Sequence, residues 1–225
     1  MSKFLPEVVA AFLPDFDVIH FDELGSGHIN DTFLVKTDQG QSFVVQKINK
    51  KVFKDVPGLV RNKSLVSLFL HEKMSALSYK DRIRRVLTFV PTSNGDYHYT
   101  DTNGDYWNVM IYIKDSQTFE IVEQRDIAYE GGKLFGAFLN LTEDFDATEL
   151  IEVIPQFHDM SFRFEQFKEA LSKALPDRVD ASFSLIQSVE SLKEEMHILQ
   201  NLKEEGKIKL RVTHNDTKIS NALFD

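Results

Sequence analysis

The chain has 225 residues, 42% hydrophobic and 27% charged, with a net charge of −9. That is material for one large domain or two small lobes with a packed core, and the negative balance argues against nucleic acid or an anionic membrane as main partner. With no cysteine there is neither a disulfide framework nor a thiolate metal site.

The N-terminus has no basic stretch followed by an apolar core, and no apolar run approaches membrane-spanning length. Together with the absent cysteines this gives the expectation of a cytoplasmic protein. Phe4, Val8, Val9 and Phe12 share a helical face, so residues 4–13 are expected to form a short helix that Pro14 and Asp15 end.

Residues 17–48 predict three strands, at about 18–24, 32–36 and 42–48, with Asp38-Gln-Gly40 as the hairpin turn between the last two. The first turn, Gly25-Ser26-Gly27-His28, is a candidate phosphate cradle, because glycines let backbone amides approach an anion closely. An ordinary glycine hairpin is the alternative. The third strand carries the next candidates, Gln46 and Lys47; alternation turns one of them inward and does not decide which.

Asp55 and Pro57 open a helix over about 57–75 with Val60, Leu65, Leu68 and Phe69 as its expected buried face. Its first three turns hold no Glu to pair with a strand cation; Asn62 is the available substitute. Residues 86–90 are apolar, and a hairpin follows around Asn103-Gly104, with strands at 97–100 and 106–113. If the chain is a kinase, residues 112–116 are the hinge, offering backbone groups to an adenine ring, with Tyr112 and Ile113 at its start; packing in the core is the other role open to Met110 and Tyr112.

From Arg125 the pattern is helical. Helices are expected at 126–141, 162–175 and 182–205, the last with Phe183, Ile186, Val189, Leu192, Met196, Leu199 and Leu202 as a core stripe and Gly206 as its cap. Gly131, Gly132 and Gly136 inside the first are costly by propensity and suggest close packing. His158, Asp159 and Arg163 form a polar cluster best explained as a helix-start network.

The last stretch is the most specific. Arg211 to Asp225 predicts a short strand, a polar loop and the start of a second strand. His214-Asn-Asp216, with Lys218 two residues later and Asn221 five residues after the Asp, has the spacing of a kinase catalytic loop. Asp216 can accept the proton of an attacking hydroxyl, Lys218 can offset charge on a transferred phosphoryl group, Asn221 can face a metal, and His214 can brace the loop. A polar turn between strands is the plain alternative.

Taken together, Gly25–Thr32, Phe43–Asn49, Phe53 with Arg61-Asn62, Trp107 in its strand, Gly131–Gly136, Ile154–Asp159 with Arg163, and Arg211–Asp225 resemble the aminoglycoside phosphotransferase and choline kinase-like family, and within it the bacterial N-acetylhexosamine kinases. The resemblance implies an α+β, protein-kinase-like two-lobe fold: an antiparallel β-sheet small lobe over residues 1–115 and an incomplete, mainly helical large lobe over 116–225. It implies ATP and Mg2+ as cofactors and a small-molecule sugar substrate phosphorylated on the anomeric hydroxyl, with Asp216 as base and Asn221 as metal ligand. Choline, homoserine and aminoglycosides are the acceptors of other such kinases. In these kinases the strand after the loop brings a second metal-binding Asp, whereas this chain ends nine residues after Asp216. The expectation is therefore little or no kinase activity from the chain as given, or a non-catalytic nucleotide- or sugar-binding remnant, with apolar surface exposed along residues 162–175.

Overall fold

The computed structural model describes residues 5–24 and 29–225. It contains two compact units, Met1–Val153 with Arg211–Asp225, and Ile154–Leu210. No helix among the described residues is long and apolar enough to cross a membrane.

The first unit is built on an antiparallel sheet, with six strands among the described residues: β1 (Val18–Glu23), β2 (Asp31–Thr37), β3 (Ser42–Ile48), β4 (Phe89–Val90), β5 (Tyr99–Thr100) and β6 (Tyr106–Ile111). The order is β1-β2-β3-β6-β4, and β5 also pairs with β6. β6 is thus central, with β3 on one edge and the short β4 and β5 sharing the other.

Side-chain alternation gives the sheet two distinct faces. Val35, Phe43, Val45, Trp107 and Val109 lie on one, packed against Val8, Val9, Phe12 and Leu13 from α1 (Leu5–Phe12) and the residue after it. The other face carries Ile48, which packs against Val56 and Val60 of α2 (Val56–Lys73). Asp55 caps α2, its carboxylate accepting from Gly58 N at 2.8 Å.

The buried side of α2 differs from the expected one. Val56, Gly58, Val60, Ser64, Ser67 and Leu70 are buried, while Leu68 is exposed. Serines fill the close approach: Ser67 Oγ donates to Leu87 O at 2.6 Å and Ser64 Oγ to Arg61 O at 3.0 Å. A count of apolar side chains misses such a face.

The hairpin before β6 is held by a buried carboxylate. Asp101 accepts from the backbone of Asn103 and Asp105 through Oδ1 and from Trp107 Nε1 through Oδ2, each at 2.9 Å. α3 (Tyr79–Arg85), started by a Ser78–Asp81 cap, was not expected. α4 (Arg125–Leu141) completes the unit and lies where the sequence placed a helix.

The second unit is helical: α5 (Met160–Lys173), α6 (Pro176–Ala181), α7 (Phe183–Ser191), α8 (Lys193–Met196) and α9 (Ile198–Glu204). The single helix expected over 182–205 is interrupted at Leu192 and His197. Its stripe is not core here: Phe183, Leu192 and Leu199 are exposed, and Phe164 is the buried hydrophobic residue of this unit. Asp159 caps α5 through Phe162 N at 2.8 Å, and Arg163 Nε donates to Phe157 O at 2.8 Å, so the polar cluster is a helix-start network.

Candidate active site

The segment from Arg211 onward is laid along α4. Arg211 Nη2 donates to Leu139 O at 2.7 Å, and Val212 is buried. The His214 ring lies beside Phe135 and Phe138, with ring centres 5.8 and 6.5 Å away. No strand forms at 209–213; the stretch is irregular, with a short 3-10 turn at Ile219–Asn221. The expected second strand is reduced to one antiparallel bridge, Phe224 with Gln117.

Asn215 takes φ +61°, a left-handed conformation that Asn tolerates better than most residues. This sharp turn puts Asp216 at the tip. Asn221 reaches back: its Nδ2 donates to Asp216 O at 2.8 Å. Asp216 and Asn221 are therefore joined in one closed loop. Asp216 and Lys218 are exposed, and neither side chain has a hydrogen bond or ion pair among the described residues. Gly131 of α4 makes the close seating possible, because a Cβ there would run into Ile219 Cδ1 and touch Phe224. Gly132 and Gly136 face open space, so the tight packing expected of all three holds for Gly131 alone.

Residues 112–116, the expected hinge, are held by the sheet and by their own turn, and Gln117 just beyond them bridges to Phe224. Tyr112 N donates to Ser42 O at 3.0 Å, Ser116 Oγ donates to Ile113 O at 2.7 Å, and Asp115 turns at φ +56°. Met110 is buried in the sheet and Tyr112 is half-buried. Ile113 N has no hydrogen-bond acceptor among the described residues. Arg84 joins hinge and loop end, donating to Lys114 O at 2.9 Å and to Asp225 Oδ2 at 3.0 Å. That guanidinium holds the Asp225 carboxyl below the usual carboxylate range. Asp225 is thus an exposed ion-pair partner of Arg84. Among the described residues no three His, Asp or Glu side chains converge on a metal-sized site.

The two candidates on β3 point to opposite faces. Lys47 lies on the α1 face, 6.0 Å from the Trp107 ring centre, and forms ion pairs with Asp31 and Asp105, both at 3.4 Å. Burial pulls its pKa down, but the two carboxylates outweigh this and leave it raised. Gln46 lies on the α2 face, donating to Thr32 Oγ1 at 3.3 Å and accepting from Lys63 Nζ at 3.4 Å.

Lys63 was not foreseen, because a lysine on a helix is usually solvated. The signal was its place one turn after Val60 on the face that meets the sheet. Burial of its ammonium lowers its pKa to about 8, although the residue as a whole is only part-buried. Asn62, the expected partner of a strand cation, is clasped to the backbone of Ile151 by bonds of 2.7 and 2.9 Å instead. Gly25, Ser26, Gly27 and His28 lie outside the described residues.

No protein-family model matches the chain. Among solved structures it is similar to the spectinomycin phosphotransferase APH(9)-Ia, crystallised with ADP and spectinomycin, with a TM-score of 0.55 at 12% identity. The shared property is the fold. The match covers 97% of this chain, which spans 64% of the length of that enzyme's chain. The α+β, kinase-like fold expected from the sequence is thus present, with the antiparallel sheet as its β part.

Proposed function

We propose that the chain belongs to an ATP-dependent phosphotransferase acting on a hydroxyl of a small molecule, most specifically the anomeric hydroxyl of an N-acetylhexosamine. The observation that carries this reading is the Asp216–Asn221 loop: an exposed carboxylate without a partner among the described residues, held at a left-handed turn by an amide five residues on. The fold shared with an enzyme solved with ADP and spectinomycin supports it, and the motif spacing supports the sugar.

In this reading Asp216 accepts the acceptor's hydroxyl proton as its oxygen forms a bond to the γ-phosphorus. The bond from that phosphorus to the β-phosphate bridging oxygen breaks and ADP leaves. Lys218 stands two residues on, where an ammonium offsets charge on the transferred group. Ile113 N offers an adenine ring a donor, and His214 keeps the loop seated on α4.

The Asn221 amide oxygen is a hard donor that suits Mg2+, an ion that commonly takes only one or two protein ligands and completes its shell with water and phosphate oxygens. When bound there, Mg2+ neutralises phosphate charge.

The test combines binding and transfer. Mg-ATP is expected to raise the melting temperature, because a ligand that binds only the folded state stabilises it. N-acetylglucosamine and N-acetylgalactosamine are then offered with ATP to the full-length gene product beside choline, homoserine and an aminoglycoside. Transfer to the amino sugars supports the full reading, and transfer to another acceptor moves the substrate class. A melting shift without any transfer reduces the function to nucleotide binding. Neither shift nor transfer removes the phosphotransferase reading.

A further inference from the structure

Three polar side chains line up across the α2 face of the sheet. Thr32 on β2 pairs in register with Gln46 on β3, and Gln46 with Asn108 on β6. Directly opposed residues of an antiparallel pair hold their side chains about 5 Å apart on one face. Gln46 bonds to Thr32. Asn108 is fully buried, yet neither its amide nitrogen nor its amide oxygen has a hydrogen-bond partner. Buried amides are nearly always paired, so an orphan of this kind calls for a physical reason.

Onto the same row α2 lowers Lys63. Its Nζ donates to Gln46 Oε1 at 3.4 Å and lies 5.3 Å from the Phe89 ring centre. It has no ion pair among the described residues. An enclosed ammonium without a carboxylate is costly, and methionine or leucine would fill the space at less expense. The face thus combines an unpaired cation with an unpaired amide two side chains away. An anion would pair the ammonium and could accept from the Asn108 amide nitrogen, leaving the amide oxygen to a donor such as water. Lys47, by contrast, is already paired with Asp31 and Asp105 on the opposite face.

We infer that Lys63 supplies the cation that meets the phosphate chain of the nucleotide, with Gln46 holding its ammonium over the sheet, so that the cation comes from the helix and a neutral amide stands on the strand. The inference rests on the phosphotransferase reading above. The ligand class is a nucleoside di- or triphosphate rather than a nucleoside, because the site offers an ammonium and amide hydrogen bonds.

Calorimetric titration separates the two readings. ATP with excess magnesium chloride, ADP and adenosine are titrated into the wild-type chain and into Lys63→Met and Lys47→Met, each checked for folding by circular dichroism. The expected result is at least a tenfold loss of ATP affinity in Lys63→Met with adenosine affinity retained. Three results overturn the inference alone: wild-type ATP affinity in Lys63→Met, an equal loss of ATP and adenosine, or a selective ATP loss in Lys47→Met instead. A wild-type chain that binds neither ATP nor adenosine overturns the phosphotransferase reading and this inference with it. A second readout uses no substitution: ATP, but not adenosine, slows acetylation of Lys63 by acetic anhydride, and equal rates with both count against the site.

Discussion

Gly131 lies directly beneath Ile219, so close that a Cβ there would push the isoleucine's terminal methyl aside. This contact seats the 3-10 turn that presents Asn221 to Asp216. Gly131→Leu is expected to push the turn away from α4 and to lower phosphoryl transfer, with a smaller effect on global stability. Gly132 and Gly136 of the same helix face open space. Gly132→Ala and Gly136→Ala are each expected to stabilise the fold by about 0.5–1 kcal/mol, the ordinary gain from removing an interior helix glycine. Urea unfolding of the three variants checks this; equal gains at all three positions would remove the seating role of Gly131.

Asp216 sits at the loop tip with no bond to its carboxylate among the described residues, a poor arrangement for a structural residue and a good one for a base. Asp216→Asn keeps the shape and removes the proton acceptor. Measured on the full-length gene product, turnover is expected to fall by at least two orders of magnitude, the scale of general-base contributions, while ATP affinity stays within a few-fold. Steady-state kinetics beside calorimetry decide it, and unchanged turnover takes Asp216 out of the base role.

Much of this arrangement was legible in the chain. Glycines and the Asp38-Gln-Gly40 turn bounded β1 to β3 to within one or two residues, because turn chemistry there is local. The catalytic-loop motif marked Asp216 and Asn221 because their spacing is set by one short loop. The α2 face was not legible, since Ser64 and Ser67 are buried there where apolar residues were expected. The interruptions at Leu192 and His197 break no sequence pattern, and the exposed stripe around them reflects what packs there, which periodicity does not report. Alternation left Gln46 and Lys47 open; the register with β6 and the position of α1 settle which face each takes.

Asp101 ties together the β5–β6 hairpin and the chain's single tryptophan. Asp101→Ala leaves the indole N–H of Trp107 buried without an acceptor and frees two backbone donors. An unsatisfied buried donor costs about 1–3 kcal/mol, so the variant is expected to lose about 3 kcal/mol, with a red shift of tryptophan emission before global unfolding. Asp101→Asn retains one acceptor oxygen and is expected to lose roughly half as much. Denaturant midpoints and fluorescence measure both; a loss confined to a few tenths of a kcal/mol would mean the hairpin is held by its strand pairing alone.

Lys63 gives the fold a pH dependence of determined sign. Its ordinary pKa of 10.5 is lowered by burial to about 8, and the groups against its ammonium are Gln46 and the Phe89 ring, neither of which titrates. Between about pH 8 and 10.5 the unfolded chain holds this proton and the folded one releases it, so the Lys63 contribution to stability rises with pH across that window. Below about pH 8 both states are protonated, and the full cost of burying the charge persists. A shift of this size corresponds to at most about 3 kcal/mol. Lys63→Met is therefore expected to be more stable than wild type at pH 7, and the difference is expected to shrink steadily toward pH 10. Taking the difference between the two proteins removes every other group that titrates in this range. Added ATP should narrow the gap at pH 7, because the anion offsets the cost in the wild type only. A gap that stays constant from pH 7 to 10 would show that Lys63 keeps its charge in the fold and has a partner that the structure does not place beside it.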